Sequence, residues 1–281
     1  MAARADSRRR RLFRDGLAAL AAVWLVLLVI AALVLPLVYR VSYTSVDPAA
    51  ALAPASAAHP LGTDPSGRDV LARLIYGGRV SLIVGAVAAL LALVLGTVVG
   101  AASAFFGTGL DSLLMRLTDT FLAVPQFFFL LLLLSVFGST LPLLVVGIGV
   151  LSWMQVARIV RGEILRHKEM EFVVAAHAMG ATPLRILLRH LIPQAAPALI
   201  VAATLGLASA ILTETSLSYL GLGVQPPQPS WGNMLSGAQI LIFSAPQLAV
   251  YPGLLIMVTV LAVNVLGDSL RDSLDPRSAT S

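Results

Sequence analysis

Between Asp119 and Arg158 the chain runs for 38 residues without one charged side chain. A helix needs ~20 predominantly apolar residues to cross a bilayer, so this run is too long for one crossing and fits two. Phe137-Gly138-Ser139-Thr140-Leu141-Pro142 supplies a tight turn in its middle. Crossings are therefore expected at about 117–136 and 141–160, the first of them kinked at Pro125. The rest of the chain is of the same kind. It is 58% hydrophobic and only 12% charged, where soluble domains carry about 25% charge. An all-α integral membrane protein is the expected fold class.

Four further crossings complete the pattern. Arg4, Arg8, Arg9, Arg10, Arg11 and Arg14 precede the uncharged run Gly16 to Tyr39. That run is too long for the apolar core of a signal peptide and lacks a convincing cleavage site before Arg40. It reads as a first span, 16–39, behind a basic cytoplasmic N-terminus, 1–15. Residues 40–78 form a polar extracytoplasmic segment, with turn chemistry at Thr63-Asp64-Pro65 and Ser66-Gly67. A short amphipathic helix is expected over Asp69 to Tyr76, lying in the interface. Arg68, Arg73 and Arg79 run against the positive-inside trend there, and Asp64 and Asp69 are their expected partners. A second span covers about 80–106 and contains Gly96 and Gly100 at GxxxG spacing, which permits close helix approach. A turn over Gly107 to Met115 follows, and Arg116 is the expected local partner of Asp119. A fifth span, about 195–220, holds the lone acid Glu214. Pro226, Pro227 and Pro229 forbid helix over Gly221 to Trp231. A weakly amphipathic piece continues to about Pro246, and this whole external stretch carries no Lys or Arg. The last span, about 248–266, returns the chain inside, where Asp268, Arg271, Asp272, Asp275 and Arg277 lie. Six spans with both ends cytoplasmic result: a five-helix core over 79–270 and a tail at 271–281.

The one large charged excursion runs from Trp153 to Pro193, and six of the nineteen basic residues sit in it: Arg158, Arg161, Arg166, Lys168, Arg185 and Arg189. Glu169 and Glu171 open the Ala-rich helical run Phe172 to Met179. Gly180 stops it cheaply. Thr182 and Pro183 then read as N-cap and first position of a second helix beginning at Leu184. A helix, a bend and a helix on a membrane surface have the shape of a docking element. Intramembrane acids are functional candidates by default. Glu214 therefore has two readings, a pathway-lining residue or a helix–helix hydrogen bond.

Several chemistries are missing. A nucleotide P-loop needs GxxxxGK[ST], and the sole lysine, Lys168, sits in no glycine loop. His59, His167, His177 and His190 form no HExxH, and there is no cysteine to ligate a metal. No GxSxG nucleophile motif occurs. The net charge of +5 comes from positives beside apolar segments, which points to membrane orientation and lipid, not nucleic acid.

The run Ala175-Ala176-His177-Ala178-Met179-Gly180, with Pro193 thirteen residues on, resembles the "EAA" loop of ABC-importer permeases. Residues 59–82 (HPLGTDPSGRDVLARLIYGGRVSL), 216–235 (SLSYLGLGVQPPQPSWGNML) and 267–277 (GDSLRDSLDPR) resemble the peptide/nickel branch of the same family. The resemblance spans roughly 15–277. Val174 departs from it, standing where the family usually has Glu, and so does His190, where Ile is frequent. The resemblance implies a type I ABC importer permease with six transmembrane helices and a cytoplasmic coupling loop at about 161–193. Glu171, Ala175, Ala176, Gly180, Pro183 and Pro193 would serve the loop, and Glu214 the translocation pathway. It implies a second homologous permease, two ABC ATPase subunits and an extracytoplasmic substrate-binding protein as partners. ATP and magnesium would sit on the ATPases, with no cofactor on this chain. The expected cargo is di- or oligopeptide, with nickel or another small solute as the alternative, in a bacterial plasma (inner) membrane. A proton-coupled secondary transporter is the reading from another class.

Overall fold

The computed structural model describes residues 2–274, with side chains described from residue 16. The side chains of the N-terminal arginines, and Asp275 and Arg277 of the tail, lie outside the described residues. Ten α-helices follow in order among those residues: α1 Ala2–Val38, α2 Val70–Phe105, α3 Thr108–Leu122, α4 Gln126–Phe137, α5 Leu141–Lys168, α6 Glu171–Ala178, α7 Pro183–Ile186, α8 Ile192–Tyr219, α9 Trp231–Ala238 and α10 Gln247–Leu274. Five stretches are long and apolar enough to cross a membrane, starting with Gly16–Val38, and the bent pair α3–α4 makes up to six.

Helices α2 and α5 form the central crossing, against which α8 packs. Val84, Ala88, Leu130, Leu144, Ile148, Met154, Ala210 and Leu217 make a buried cluster across α2, α4, α5 and α8. A second cluster lies at the end where α5 finishes in Arg166, His167 and Lys168, called here the basic end. A third surrounds Trp231 at the far end, joining α2, α9 and α10. The helices leave Leu, Ile, Val and Phe exposed along their outer faces, as a lipid-facing surface requires.

Three expectations are corrected. The short helix over Asp69 to Tyr76 and the span at 80–106 are one 36-residue helix, α2. At 1.5 Å per residue it is about 54 Å long, well beyond a ~30 Å hydrocarbon core. Gly77 and Gly78 do not stop it. They make room for α9, since a Cβ on Gly77 would lie 3.3 Å from Ser230 Cα and one on Gly78 2.8 Å from Trp231 Cζ2.

The expected span 117–136 is broken, α3 and α4 being bent by 77°. Pro125 is the N-cap of α4 and has no N–H to continue α3. The fifth crossing begins well before residue 195, because α7 passes through a π turn, Leu187–Leu191, directly into α8. Pro193 cannot donate to the carbonyl of Arg189, and the helix widens immediately before it. The non-helical stretch runs from Gly221 to Ser230, as its prolines require, and the amphipathic piece beyond it begins as a helix. Ser230 Oγ accepts from Asn233 N at 3.2 Å and Asn233 Oδ1 accepts from Ser230 N at 3.0 Å, a capping box that starts α9.

Candidate functional site

The helix–bend–helix of the basic end is built on a short hydrophobic floor. Val173 and Ala176 of α6 face inward against Ile164 of α5, Ile186 of α7 and Leu187 and Leu191 of the π turn. Met179 is the C-cap of α6, and Gly180 follows with φ of +80°. Its N–H donates to His177 O at 2.9 Å, and Ala181 N–H donates to Ala176 O at 3.0 Å. These two bonds are the Schellman pattern, which needs a left-handed residue at this place. Thr182 has the extended conformation of an N-cap, but its side chain makes no capping bond.

The predicted residues divide by face. Glu171, Ala175, Gly180, Pro183 and Pro193 are exposed, whereas Ala176 is buried in the floor and not available for docking. Hydropathy alone does not mark the other outward residues: Met179 is 82% exposed, and Val174, Leu184 and Leu188 more than half exposed. Arg185 and Arg189, both exposed, flank Leu184 and Leu188. The result is a row of apolar knobs with cationic edges, outside the main bundle.

Ion pairs and hydrogen bonds tie the helices together at this end. Arg161 makes a bidentate pair with Asp111, Nε to Oδ1 at 2.6 Å and Nη2 to Oδ2 at 2.7 Å. Ser103 donates to the same carboxylate, so α2, α3 and α5 meet there. Lys168 Nζ donates to Ala104 O at 3.1 Å, covering one of the last carbonyls of α2. Asp119 pairs with Arg158 of α5 and not with Arg116, the expected local partner. The pairing is across helices because α5 passes alongside α3.

At the far end Glu214 is fully buried. Its Oε2 accepts from Ser81 Oγ at 2.8 Å and its Oε1 from Ser218 Oγ at 2.6 Å. Ser81 Oγ in turn accepts from Trp231 N at 3.3 Å, and Ser218 Oγ from Val224 N at 3.0 Å. The carboxylate thus ties α2, α8, α9 and the 221–226 loop into one knot. This is the helix–helix hydrogen-bond geometry of its two readings. Glu214→Ala leaves both serine hydroxyls without this acceptor, at about 1–3 kcal/mol for each buried group. The expected outcome is a lower thermal midpoint in detergent, with Glu214→Gln intermediate; equal midpoints for all three proteins would remove the knot from the account.

The polar segment before α2 is ordered by two acids with separate duties. Asp64 Oδ2 accepts from Arg68 Nε at 2.7 Å, and Arg73 Nε lies 3.5 Å from the same oxygen. Asp69 pairs with neither Arg68 nor Arg73, contrary to expectation. It is the N-cap of α2, accepting from Ala72 N at 2.7 Å, and it also meets Tyr39 Oη at 3.0 Å and His59 Nδ1 at 2.9 Å. Burial, and then the bond to Asp69, push the Tyr39 phenol up to about 12.

A polytopic helical bundle with an exposed helix–bend–helix at one end is the architecture of a membrane transport subunit. The chain belongs to the family of binding-protein-dependent transport system inner membrane components, whose family model matches residues 92–280. It is 37% identical over 268 residues to the dipeptide transport system permease protein DppC of Alkalihalophilus pseudofirmus, covering 95% of this chain and 88% of that one. It is 38% identical over 271 residues to the oligopeptide transport system permease protein OppC of Haemophilus influenzae, covering 96% and 87%. A putative peptide permease protein of Brucella suis is 44% identical over 222 residues, covering 78% and 74%. Among solved structures, a chain of the MetNI methionine ABC transporter in an inward-facing conformation shares the fold, with TM-score 0.58 and 21% identity. That match covers 73% of this chain and 96% of that chain.

Proposed function

We propose that this chain forms half of the translocation pathway of an ATP-driven importer for di- or oligopeptides in a bacterial inner membrane. Its relatives belong to dipeptide and oligopeptide systems, which supports the cargo class. The partners are a second permease of the same family, two ATPase subunits that hold ATP and magnesium, and an extracytoplasmic binding protein. The basic end is cytoplasmic, with both termini and the loop at about 161–193 on that side and residues 40–78 outside. The absence of Lys and Arg from 216–246 against their density at the basic end supports this orientation.

The observation that carries the coupling role is the exposed row of Val174, Met179, Leu184 and Leu188, edged by Arg185 and Arg189. A partner that holds these knobs and moves pushes on α7, which continues through the π turn into α8. α8 bears Glu214 at its other end, so a displacement at the ATPase side reaches the polar knot joining α2, α8 and α9. Rigid-body motion of packed helices is the physical carrier.

The test is uptake of a labelled peptide into vesicles holding the purified assembly and its binding protein. Uptake should require ATP on the basic side and persist when an uncoupler collapses the proton gradient. Uptake that ignores ATP and fails with the gradient would make the chain a secondary transporter.

A further inference from the structure

A cavity of ≈ 330 Å³ opens at the far end, between the 64–70 turn, the 221–226 loop and α9. Its polar lining includes Asp64, Arg68, Arg73, Ser218 and Asn233. Arg73 is the unusual member, since it is only 7% exposed. A buried guanidinium is stable only when its charge and its five N–H groups find partners. Here Nε has the 3.5 Å approach to Asp64, which is too long for a hydrogen bond, and Nη1 is buried with no partner.

Asp64 has little left to offer. Its Oδ2 is taken by Arg68 Nε at 2.7 Å, and its Oδ1 by the backbone N–H groups of Ser66 and Arg68 at 2.8 and 3.0 Å. Asp69 is occupied by Tyr39, His59 and the start of α2. The cavity wall therefore carries two guanidinium groups against one carboxylate. One negative charge is missing, and the space beside Arg73 is where it would fit.

We infer that this cavity is a binding site for a small carboxylate ligand, with Arg73 as its anchor and Arg68 beside it. Arginine suits the task because its planar fork matches a carboxylate with two parallel bonds. Asn233 is not available to share the load: its amide nitrogen donates to Val224 O and Gln228 O and its oxygen accepts from Ser230 N. The cavity's size admits a ligand of one or two amino-acid residues and not a folded segment. The inference does not depend on the peptide cargo, since carboxylate binding at this end holds whatever the assembly carries.

The test uses the full chain in lipid nanodiscs, in carboxylate-free buffer, with saturation-transfer NMR titrations of N-acetylalanine and of its neutral amide. N-acetylalanine should bind saturably and the amide at least tenfold more weakly. Arg73→Gln should weaken the acid at least tenfold and leave the amide unchanged. Gly237→Leu is the companion variant, because Gly237 lines the cavity and a Cβ there meets no heavy atom within 4 Å. It adds bulk without disturbing Arg73 and should also lose the acid. Equal binding of acid and amide, or wild-type binding in either variant, overturns the site. Binding of neither probe overturns it as well, and assigns Arg73 to water or to an acidic side chain of an adjoining subunit.

Discussion

Gly100→Leu should abolish accumulation of the folded chain. A Cβ on Gly100 would stand 2.4 Å from Ala157 O and 2.9 Å from Val160 Cβ, and one on Gly96 2.6 Å from Trp153 O and 2.5 Å from Val156 Cβ. The obstructing oxygens are main-chain carbonyls of α5, so no rotamer change relieves the contact. From the other side, a Cβ on Gly149 would lie 3.0 Å from Ala88 O. The α2–α5 crossing is thus held close by glycines on both helices, as small residues permit in membranes. Overpacking typically costs about 1–3 kcal/mol when side chains can yield. Here the backbones themselves must part, and the clusters on α4 and α8 part with them, so the loss should exceed that range. Gly162 on α5 is the control, because a Cβ there meets nothing within 4 Å. Gly162→Ala should behave as wild type or gain up to about 1 kcal/mol from helix propensity. Size-exclusion chromatography of a fluorescently tagged chain reads both. A monodisperse Gly100→Leu peak with an unchanged thermal midpoint would contradict the crossing.

The crossings were legible because hydropathy is a local property and a bilayer imposes a length. The errors lie where a tertiary neighbour decides. The expected break between Tyr76 and residue 80 falls on Gly77-Gly78, yet both glycines are spaces cut for Ser230 and Trp231, which are some 150 positions away in the chain. Pro125 reads as a kink, and the 77° between α3 and α4 depends on how α4 packs on α5. Arg116 is the nearest cation in sequence to Asp119, but Arg158 is the one across the helix interface. Arginines on the side opposite the basic end were a signal in themselves. Arg73 broke the charge trend, and burial beside an already occupied Asp64 is the feature that composition does not express. At the helix–bend–helix, the Ala-rich run, the glycine and Thr-Pro give the motif but not its faces. Ala175 and Ala176 differ by one helical step of about 100°. Only the first points outward.

Replacing Gly180 with valine should separate folding from coupling. The residue sits at φ +80° with open space around a Cβ, so no atom is in the way. The cost is in the backbone, about 1–2 kcal/mol for a side chain in the left-handed region and more for a β-branched one. That energy shifts the population of the bent form by a factor of about 5–30. The two Schellman bonds at His177 O and Ala176 O are then lost together, and α6 no longer meets α7 at the angle that sets out Met179 and Leu184. The bend rests on the floor that Val173 and Ala176 share with α5 and the π turn, so the strain falls at this end and leaves the α4 and Trp231 clusters in place. Insertion and thermal midpoint should therefore stay near wild type, while ATP-driven uptake falls about tenfold and ATP hydrolysis continues without it. Gly180→Asn is the decisive comparison. Asparagine adds a side chain but tolerates the left-handed conformation, so it should retain most of the uptake. Equal losses for valine and asparagine would mean that bulk at the docking surface, and not the bend, is what the partner reads. Wild-type uptake with valine would take the bend out of the coupling path altogether.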